Sequence, residues 1–515
     1  MKKAILSLIF LYTLSMNSQS FEWLQSPSIV FNSSPSLIGY LTTCDASGNI
    51  YLSGFVNNSY LYNDVFGDLF YNKYDTTGQL LFSKTITGKV QIYDMQSDSS
   101  GNIYIAASYI QSMTIDNVTI STTDSGAKPL LIKLDANGNY LWHIALTTYV
   151  STINHFKSIA IDANDAVYIA YDNYNYSYIK KLDSNGVVLL TIEQQNVNLI
   201  SSISIDNEGY IYAAGGCANT NSKYANVLVP ATFSYNTYIV KYSPTGVYQW
   251  VKFVQDITCS EPQVKAKSQN DVYFSSTLYG AYTFGGITAQ GPNGGYDFFL
   301  SKLNSTGTFQ WVREVLGTGT GRVFVGKRKF LNLDTSGNVY FAGSTSGTVN
   351  WGNSITTNST IYQDGLVLKY DSDGTILMAK TAGGTDTDRF DGVTTNSSGA
   401  IFVSGLMRGT SNFDALQHVE TDQFKFYPIL SKINATNLNT TDFNLETAIL
   451  YPNPSTDFFT ISNVKTNSTG FIYNLLGEKI KSFKVGNTPI SIQELSTGIY
   501  VVKLDGNITF KLIKT

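Results

Sequence analysis

Hydrophobic and polar residues alternate along most of this chain, in short runs that end at Gly, Asn or Asp. In one stretch the runs lie at 197–205, 209–214, 237–242 and 247–253, and each is rich in β-branched and aromatic residues. Runs of this kind are typical of β-strands, and the period of an amphipathic helix is almost absent. The pattern predicts an all-β fold built from groups of four short strands.

The four-run unit recurs seven times. Its second run carries a central aromatic residue: Tyr51, Tyr104, Tyr168, Tyr212, Tyr273, Tyr340 and Phe402. Its third run carries a lysine: Lys73, Lys133, Lys181, Lys241, Lys302, Lys369 and Lys432. The two series interleave with a period of about 60 residues, which indicates repeats that each form one supersecondary unit. Seven units of four antiparallel strands predict a seven-bladed β-propeller.

Two tight turns punctuate most units, with the pattern Asp-x-x-Gly, as at 45–48 and 75–78. The Asp side chain can accept a hydrogen bond from the backbone two residues on, and Gly supplies a positive φ, so both turns are predicted to be hairpins. The seven lysines recur too regularly for a catalytic role. We expect their aliphatic stems to lie along a neighbouring strand and their ammonium groups to stay in water.

The seventh unit lacks a fourth strand of its own. Elsewhere a large apolar residue follows the second turn, as at Trp142 and Trp250, but after Lys432 the chain runs into an Asn- and Thr-rich stretch. The segment 21–24, which contains Trp23, has the composition of a spare fourth strand. We predict that this N-terminal strand completes the last blade, because such closure removes an open sheet edge. The alternative is that residues 21–31 are a disordered remnant of a leader.

The repeat resembles a known family. Its two phrases, D-x-x-G-N-[IV]-Y-x-x-G and [IV]-x-K-[LY]-[DSN]-x-x-G-x-x-x-W, resemble the bacterial seven-bladed β-propeller repeats that are common in secreted proteins. The resemblance covers residues 20–435. It implies a fold and not an activity, because propellers host unrelated functions.

The composition changes after the last repeat. Residues 436–447 are rich in Asn and Thr and predict a linker, and residues 448–515 predict a small β-sandwich. The tail contains an ordered set of motif residues: Tyr451, Pro452, Asn453, Pro454, Asn474, Gly477, Leu495, Gly498, Tyr500 and Lys514. In that order they resemble the type A C-terminal sorting domain of the type IX secretion system of Bacteroidetes. The resemblance implies export by the type IX machinery, removal of the tail, and release or attachment at the outer-membrane surface.

The N-terminus agrees with export. Residues 1–18 hold Lys2 and Lys3, an apolar run over 4–14 and then small polar residues, which predicts a secretory signal peptide. No later stretch approaches the ~20 apolar residues that a spanning helix needs. We therefore expect no transmembrane segment in the mature protein.

Composition narrows the choice of partner. The formal net charge is −4 and no basic tract appears, so nucleic acid is excluded as a partner. The three cysteines form no disulfide framework, although Cys217 and Cys259 could form one bridge; Cys44 is expected to be a small buried hydrophobe. We expect a monomer.

A ligand is expected on the face of the disc opposite the short turns, where the longer loops lie and where binding residues concentrate. The candidate residues on this long-loop face are Tyr60, Tyr62, Tyr174, Tyr176, Tyr279, Tyr282, Trp351, Asp386, Asp388 and Arg389. Exposed aromatic rings could stack on sugars or anchor a protein partner; alternatively, they pack over the blade edges. The carboxylates at 386–391 could hold calcium but lack the spacing of a calcium loop, so no cofactor or metal is expected.

No catalytic residues emerge. His143, His155 and His418 have no metal spacing, and no nucleophile motif accompanies them. The sequence favours a secreted or surface-attached module for binding or adhesion, with a glycan or protein ligand. Two alternatives stay open: a polysaccharide hydrolase or lyase with its site at the propeller channel, and a structural surface component. A convergent pair of buried carboxylates at the channel mouth would favour the enzyme.

Overall fold

A computed structural model describes most of the chain. The described residues are 19–27, 38–61, 64–123, 126–146, 155–173, 175–217, 221–255, 262–291, 296–315, 321–359, 362–434, 449–462, 468–486, 488–504 and 509–515. The predicted signal peptide, the linker, Tyr62, Tyr174 and Cys259 lie outside them. The chain divides into two compact units, Gln19–Ala435 and a second that begins at Thr436.

The first unit is a seven-bladed β-propeller, as predicted. Strands a to d of each blade run from the central channel to the rim. The a strands of blades 1 to 7 are Leu41–Cys44, the second half of Leu80–Ser97, His155–Ile161, Leu199–Ile205, Gln263–Ser268, the pair Arg322–Val325 and Leu331–Leu333, and Arg389–Thr395. The b strands are Ile50–Phe55, Ile103–Ile115, Val167–Asn173, Ile211–Cys217, Asp271–Tyr279, Val339–Ser346 and Ile401–Arg408.

The outer strands follow the same order. The c strands are Asp64–Tyr74, Ala127–Leu134, Tyr176–Leu182, Asn236–Tyr242, Tyr296–Leu303, Asp364–Tyr370 and Phe426–Ile433. The d strands are the first half of Leu80–Ser97, Tyr140–Ala145, Val188–Gln195, Tyr248–Gln255, Phe309–Arg313, Ile376–Gly384 and, for blade 7, Phe21–Gln25. Short strands decorate the loops: Ser59–Leu61, Val118–Ser121, Lys223–Tyr224, Val227–Leu228, Tyr282–Phe284, Ile287–Ala289, Thr348–Gly352, Ile355–Asn358, Ser411–Phe413 and Leu416–His418.

The N-terminal strand closes the ring, which confirms the predicted clasp. Phe21–Gln25 pairs antiparallel with Phe426–Ile433, and Trp23 lies opposite Lys432. Phe21 is buried and its ring meets that of Phe413 edge to face. The two ends of the propeller sequence are therefore joined within one sheet.

The turns form as the sequence predicts. In the first, Gly48 has a φ of 83° and its N–H donates to the carbonyl of Asp45. The carboxylate of Asp45 accepts the N–H of Asn49 at 2.9 Å. The Asp and the Gly of the turn therefore each have a structural task, which explains why these two residues repeat.

The repeated lysines differ from the prediction, because several of their ammonium groups are buried. Lys73 is 7% exposed, lies 2.9 Å from the Asp45 carboxylate and donates to the carbonyl of Ala136 in the next blade. Lys302 likewise forms an ion pair with Asp271 in its own blade and donates to a backbone carbonyl in a turn of blade 6. A carboxylate in the same blade offsets the desolvation of each ammonium, so these lysines join neighbouring blades.

The second unit contains two small sheets around one core. One sheet holds Ile449–Tyr451, Phe458–Ser462 and Ile490–Ser491; the other holds Lys479–Lys484, Thr469–Tyr473, Gly498–Leu504 and Thr509–Lys514. Their apolar faces share buried residues such as Phe459, Ile472 and Leu512. This is the β-sandwich that the sequence predicts. Among the described residues of the whole chain, no helix has the length and apolar character needed to cross a membrane.

Candidate functional site

The channel opens at the short-turn face into a cavity of about 540 Å³. All seven a strands or the turns that follow them contribute to its wall. The cavity is lined by residues 44–46, 96–99, 160–163, 165, 203–205, 265, 333, 335 and 395–397. We call this cavity the channel mouth. It lies on the face opposite to the one that the loop lengths predict.

The wall of the channel mouth is polar, and most of its carboxylates are paired with lysines. Asp45 and Asp98 face Lys73 and Lys133 at 2.9 and 3.7 Å. Asp162 faces Lys181 at 3.1 Å; although burial opposes it, hydrogen bonds from the Ala166 N–H and from Lys181 hold the pKa of this carboxyl below its ordinary value. Between these pairs lie hydroxyl and amide side chains. Such a wall can exchange hydrogen bonds with a polar, uncharged ligand.

Below the channel mouth the channel narrows to a second cavity of about 20 Å³. We call this the constriction. Five blades line it, through Tyr93, Asp94, Lys157, Ser158, Ser201, Ser202, Gln263, Lys265, Arg328 and Lys329. Four of these side chains are cationic and one is a carboxylate, and Lys265 lines both cavities. The constriction therefore carries an excess of positive charge.

An interruption of the a strand in blade 6 supplies two of these cations. Residues 327–329 leave the sheet between Gly326 and Phe330, which both bond the backbone of Ala342, and the Arg328 N–H donates instead to the carbonyl of Asp391 in blade 7. Gly326 permits this, because a Cβ there would lie 2.6 Å from the same carbonyl oxygen. The detour carries Arg328 and Lys329 into the channel.

Lys329 reaches blade 2 from blade 6. Its Nζ lies 2.6 Å from Oδ1 of Asp94 and donates to the carbonyl of Met95 at 3.1 Å. Oδ2 of Asp94 accepts the N–H of Ile159 in blade 3 at 2.7 Å. Asp94 therefore faces the Lys329 ammonium with one oxygen and a backbone N–H donor of blade 3 with the other.

The sequence prediction missed the constriction residues. The signal was present: Lys157 and Lys265 lie on innermost strands and the basic run 327–329 interrupts the innermost strand of blade 6, whereas the innermost strands of blades 1 and 4 carry no charge. Which face of an inner strand meets the channel depends on bulges such as those near Phe156 and Ala266. A bulge shifts the alternation by one residue, and this shift is not visible in the sequence.

Among the described aromatic candidates, the three exposed tyrosines lie on blades that are not adjacent. Tyr60 lies in blade 1, Tyr176 in blade 3 and Tyr279 in blade 5, and they are 52%, 38% and 38% exposed. Tyr282, also in blade 5, is half-buried and packs edge to face on Phe284. Trp351 is a correction: it is 4% exposed and its indole N–H donates to Thr357, because it fills a core layer between blades.

The charged candidates at 386–391 are held by protein partners. Asp386 forms an ion pair with Arg408 at 3.0 Å, and Arg389 forms one with Asp391 at 2.7 Å. Asp388 is fully buried and accepts the N–H groups of Gly384 and Arg408. Within the described residues no group of three or more His, Cys, Asp or Glu side chains is arranged to hold a metal ion.

Asp388 has a second buried carboxylate beside it. Burial, opposed by two backbone N–H donors and reinforced by the charge of Asp364, raises the pKa of Asp388 to about 7. Burial also raises the pKa of Asp364. Neither carboxyl lines the channel mouth or the constriction as the described residues define them. The pair lies within the blade packing and not at the channel mouth, where a hydrolase site was considered.

Cys44, His143 and His418 contact neighbouring protein groups, and the side chain of His155 lies outside the described part of the chain. Cys44 is half-buried at the channel mouth, and burial raises the pKa of its thiol to about 12, so the reactive thiolate is scarce at neutral pH. His143 accepts or donates a hydrogen bond with Tyr140 at 2.7 Å, and the ring of His418 stacks on Tyr427.

The motif residues of the C-terminal unit have structural roles. Asn453 donates to the carbonyl of Lys511 and accepts the N–H of Ile513, which ties the start of the unit to its last strand. Asn474 caps a turn through its side chain, and Gly477 supplies a φ of 84° there. Tyr451 is exposed, whereas Leu495 is buried. The order of these motif residues along the sequence therefore follows from their positions in one small fold.

Comparison with known proteins bears on each unit. Residues 449–515 match a family described as the secretion system C-terminal sorting domain. Over 303 residues the chain is 24% identical to an uncharacterised WD repeat-containing protein, L264, of Acanthamoeba polyphaga mimivirus; the match covers 55% of this chain and 17% of that protein. The chain thus spans about a sixth of the length of that relative.

Solved structures give weak matches. The WD40 domain of Neurospora crassa Pan2 is 8% identical with a TM-score of 0.41, and the match covers 82% of this chain and 97% of that one. PorZ, described as a surface component of the type IX secretion system of Porphyromonas gingivalis, is 10% identical with a TM-score of 0.31, covering 95% of this chain and 77% of that one. The propeller assignment therefore depends on the sheet topology of this chain.

The C-terminal unit is a type IX sorting domain, which confirms the resemblance seen in the sequence. The protein is accordingly exported to the cell surface or released. A sorting domain of this kind engages the type IX secretion machinery. It does not identify what the propeller binds.

Proposed function

We propose that this exported propeller is a binding module at the cell surface or in the secreted fraction, and that it holds a glycan at the channel mouth. The observation that supports this most strongly is the cavity of about 540 Å³ to which all seven blades contribute. Its size is within the range of small-molecule sites, and a closed ring of sheets keeps its shape fixed.

The chemistry of the wall suits a sugar. Hydroxyl and amide side chains such as Ser204, Thr335 and Asn396 line the cavity, interspersed with the apolar side chains of Ile161 and Leu333. Hydroxyls and amides both donate and accept, as sugar hydroxyls do. The acidic side chains of the wall are largely paired with lysines, so they do not repel a neutral or anionic ligand.

The long-loop face is the competing location. The exposed candidates Tyr60, Tyr176 and Tyr279 lie on blades that are not adjacent, and the exposed Tyr235 and Tyr362 lie in loops of blades 4 and 6, so the exposed rings are spread around the rim. Binding at a single well-packed centre concentrates the interaction energy, and dispersed rings at a rim contribute less. We therefore favour the channel mouth.

A glycan array tests this proposal. The purified protein is compared with Ser397→Trp, which places an indole in the channel mouth at an exposed lining position, and with Tyr60→Ser on the long-loop face. We expect the wild-type protein and Tyr60→Ser to retain the same glycans and Ser397→Trp to lose them. Loss in Tyr60→Ser with retention in Ser397→Trp would move the site to the long loops, and a blank array with folded protein would reject glycan binding.

A further inference from the structure

Lys265 occupies an unusual position in the channel. It lies on the a strand of blade 5, is half-buried, and lines both the channel mouth and the constriction. Within the described part of the chain its ammonium has no hydrogen-bond or ion-pair partner, unlike the repeated lysines such as Lys73. A partly desolvated ammonium without a carboxylate in direct contact is unfavourable, so it indicates a site for an anion.

The carboxylate in the constriction offsets the charge of Lys265 only in part. Oδ1 of Asp94 is paired with Lys329, and Oδ2 accepts the Ile159 N–H. Arg328 adds to the imbalance. Among the described residues its buried Nε has no hydrogen-bond partner, its Nη1 donates to the carbonyl of Lys327 at 3.3 Å, and its guanidinium lies 5.9 Å from the ring centre of Tyr93. The side chains of Lys265 and Arg328 therefore face the channel, and each has N–H groups that donate to no acceptor among the described residues.

The titration of Lys265 agrees with this geometry. Burial, together with the charge of Lys329 and against that of Asp94, lowers the pKa of Lys265 to about 8. The charged groups that face it across the constriction are Asp94, Lys157, Arg328 and Lys329. An anion bound here would favour the protonated amine and raise that pKa.

The volumes of the two cavities limit the size of the chemical group that each can hold. The constriction, at about 20 Å³, has room for about one water-sized group, whereas the channel mouth above it has room for a sugar. We propose that the channel selects an acidic saccharide, whose ring lies in the channel mouth and whose carboxylate or sulfate reaches Lys265. This inference rests on the proposed glycan-binding function and adds its charge preference.

Calorimetric titration tests the inference with defined probes: trigalacturonate, a sulfated heparin disaccharide, the neutral sugar maltotriose, and inorganic sulfate. The variants are Lys265→Met and, as a matched control for loss of one lysine, Lys252→Met on the d strand of blade 4. We expect at least one acidic saccharide to bind about tenfold or more tightly than maltotriose. We expect Lys265→Met to lose about tenfold in that affinity, which is the order of one charge-assisted hydrogen bond, and Lys252→Met to lose none.

The outcomes separate the two proposals. Equal binding of acidic and neutral sugars, or unchanged affinity in Lys265→Met, overturns the anion site and leaves glycan binding intact. Sulfate binding that depends on Lys265, with no binding of any saccharide, supports the anion site and rejects the glycan. If Lys265→Met does not fold, Arg328→Gln provides the same comparison, because its side chain lines the same constriction.

Discussion

The indole N–H of Trp23 donates to the backbone carbonyl of Thr76 at 3.2 Å. Lys432 of the same blade donates to that carbonyl oxygen as well. Trp250 and Lys241 make the same pair of contacts with the carbonyl of Ser305 between blades 4 and 5. The junction where the ring closes therefore has the same chemistry as a junction inside it, although Trp23 is about 400 residues away from its partner strand in the sequence.

Closure of the ring by the N-terminal strand should contribute measurably to the stability of the propeller. Trp23→Ala removes a half-buried ring from the junction of blades 7 and 1, and we expect it to lower the free energy of unfolding by about 2–3 kcal/mol. Leu141→Ala, at a rim position that is 47% exposed, is the control and should cost little. Urea denaturation compares the two. Equal stability of both variants would mean that the N-terminal strand does not hold the ring closed.

The buried lysines should contribute more than surface ion pairs do. Lys73→Met leaves the buried carboxylate of Asp45 without its partner, and we expect a loss of about 3 kcal/mol at pH 7. Lys425→Met removes an exposed ammonium from its pair with Glu420 and should cost less than about 1 kcal/mol. Adding Asp45→Asn to Lys73→Met should restore part of the loss. A Lys73→Met protein as stable as the Lys425→Met protein would show that these lysines are dispensable.

Asp297 should make stability depend on pH. Burial, reinforced by the charge of Glu314 and opposed by two backbone N–H donors, raises the pKa of this carboxyl to about 7 in the folded protein. The unfolded value is about 3.9, so the folded state binds the proton more tightly. The contribution of this group to stability is therefore complete below about pH 4 and is lost as pH rises through about 7.

Asp297→Asn tests this dependence. Asn resembles the protonated acid, so we expect the decrease in melting temperature between pH 5 and pH 8 to be smaller in the variant than in the wild type. Asp388, whose pKa is also raised to about 7, is still present in the variant and should cause the part of the decrease in melting temperature that remains. An identical pH profile in both proteins would show that Asp297 does not carry a raised pKa.

Export should depend on the C-terminal unit. Deleting residues 449–515 removes the whole matched sorting domain, and we expect the truncated protein to accumulate inside the outer membrane. Protease accessibility on intact cells and immunoblots of the medium measure the result. Lys252→Met, which alters only the rim of the propeller, serves as an export-competent control. Surface display of the truncated protein at the wild-type level would show that export uses another signal.

Much of the fold was predictable because its determinants are local. The turn at Asp45 and Gly48 and the strands beside it are encoded within about ten residues, and repetition multiplies the signal. Even the clasp was predictable, because blade 7 lacks one strand and residues 21–24 supply its pattern. The sorting domain was predictable because several of its motif residues, such as Asn453, Asn474 and Gly477, have a fixed structural role.

The candidate site was not predictable in the same way. The channel mouth combines residues from seven separate repeats, and Lys329 reaches Asp94 only because blade 6 is interrupted. The burial of Lys73 depends on a carboxylate in its own blade and a carbonyl in the next one. These features arise from tertiary packing. Loop length alone directed attention to the long-loop face.

The location of the ligand is the central claim, and hydrogen–deuterium exchange tests it most directly. The protein is compared alone and saturated with the glycan that it retains best on the array. We predict slower exchange in the turns at 45–48, 98–101 and 162–165, which border the channel mouth, and unchanged exchange in the peptides that contain Tyr60 and Tyr176. Slower exchange around those two tyrosines, with no change in the turns, would contradict the account.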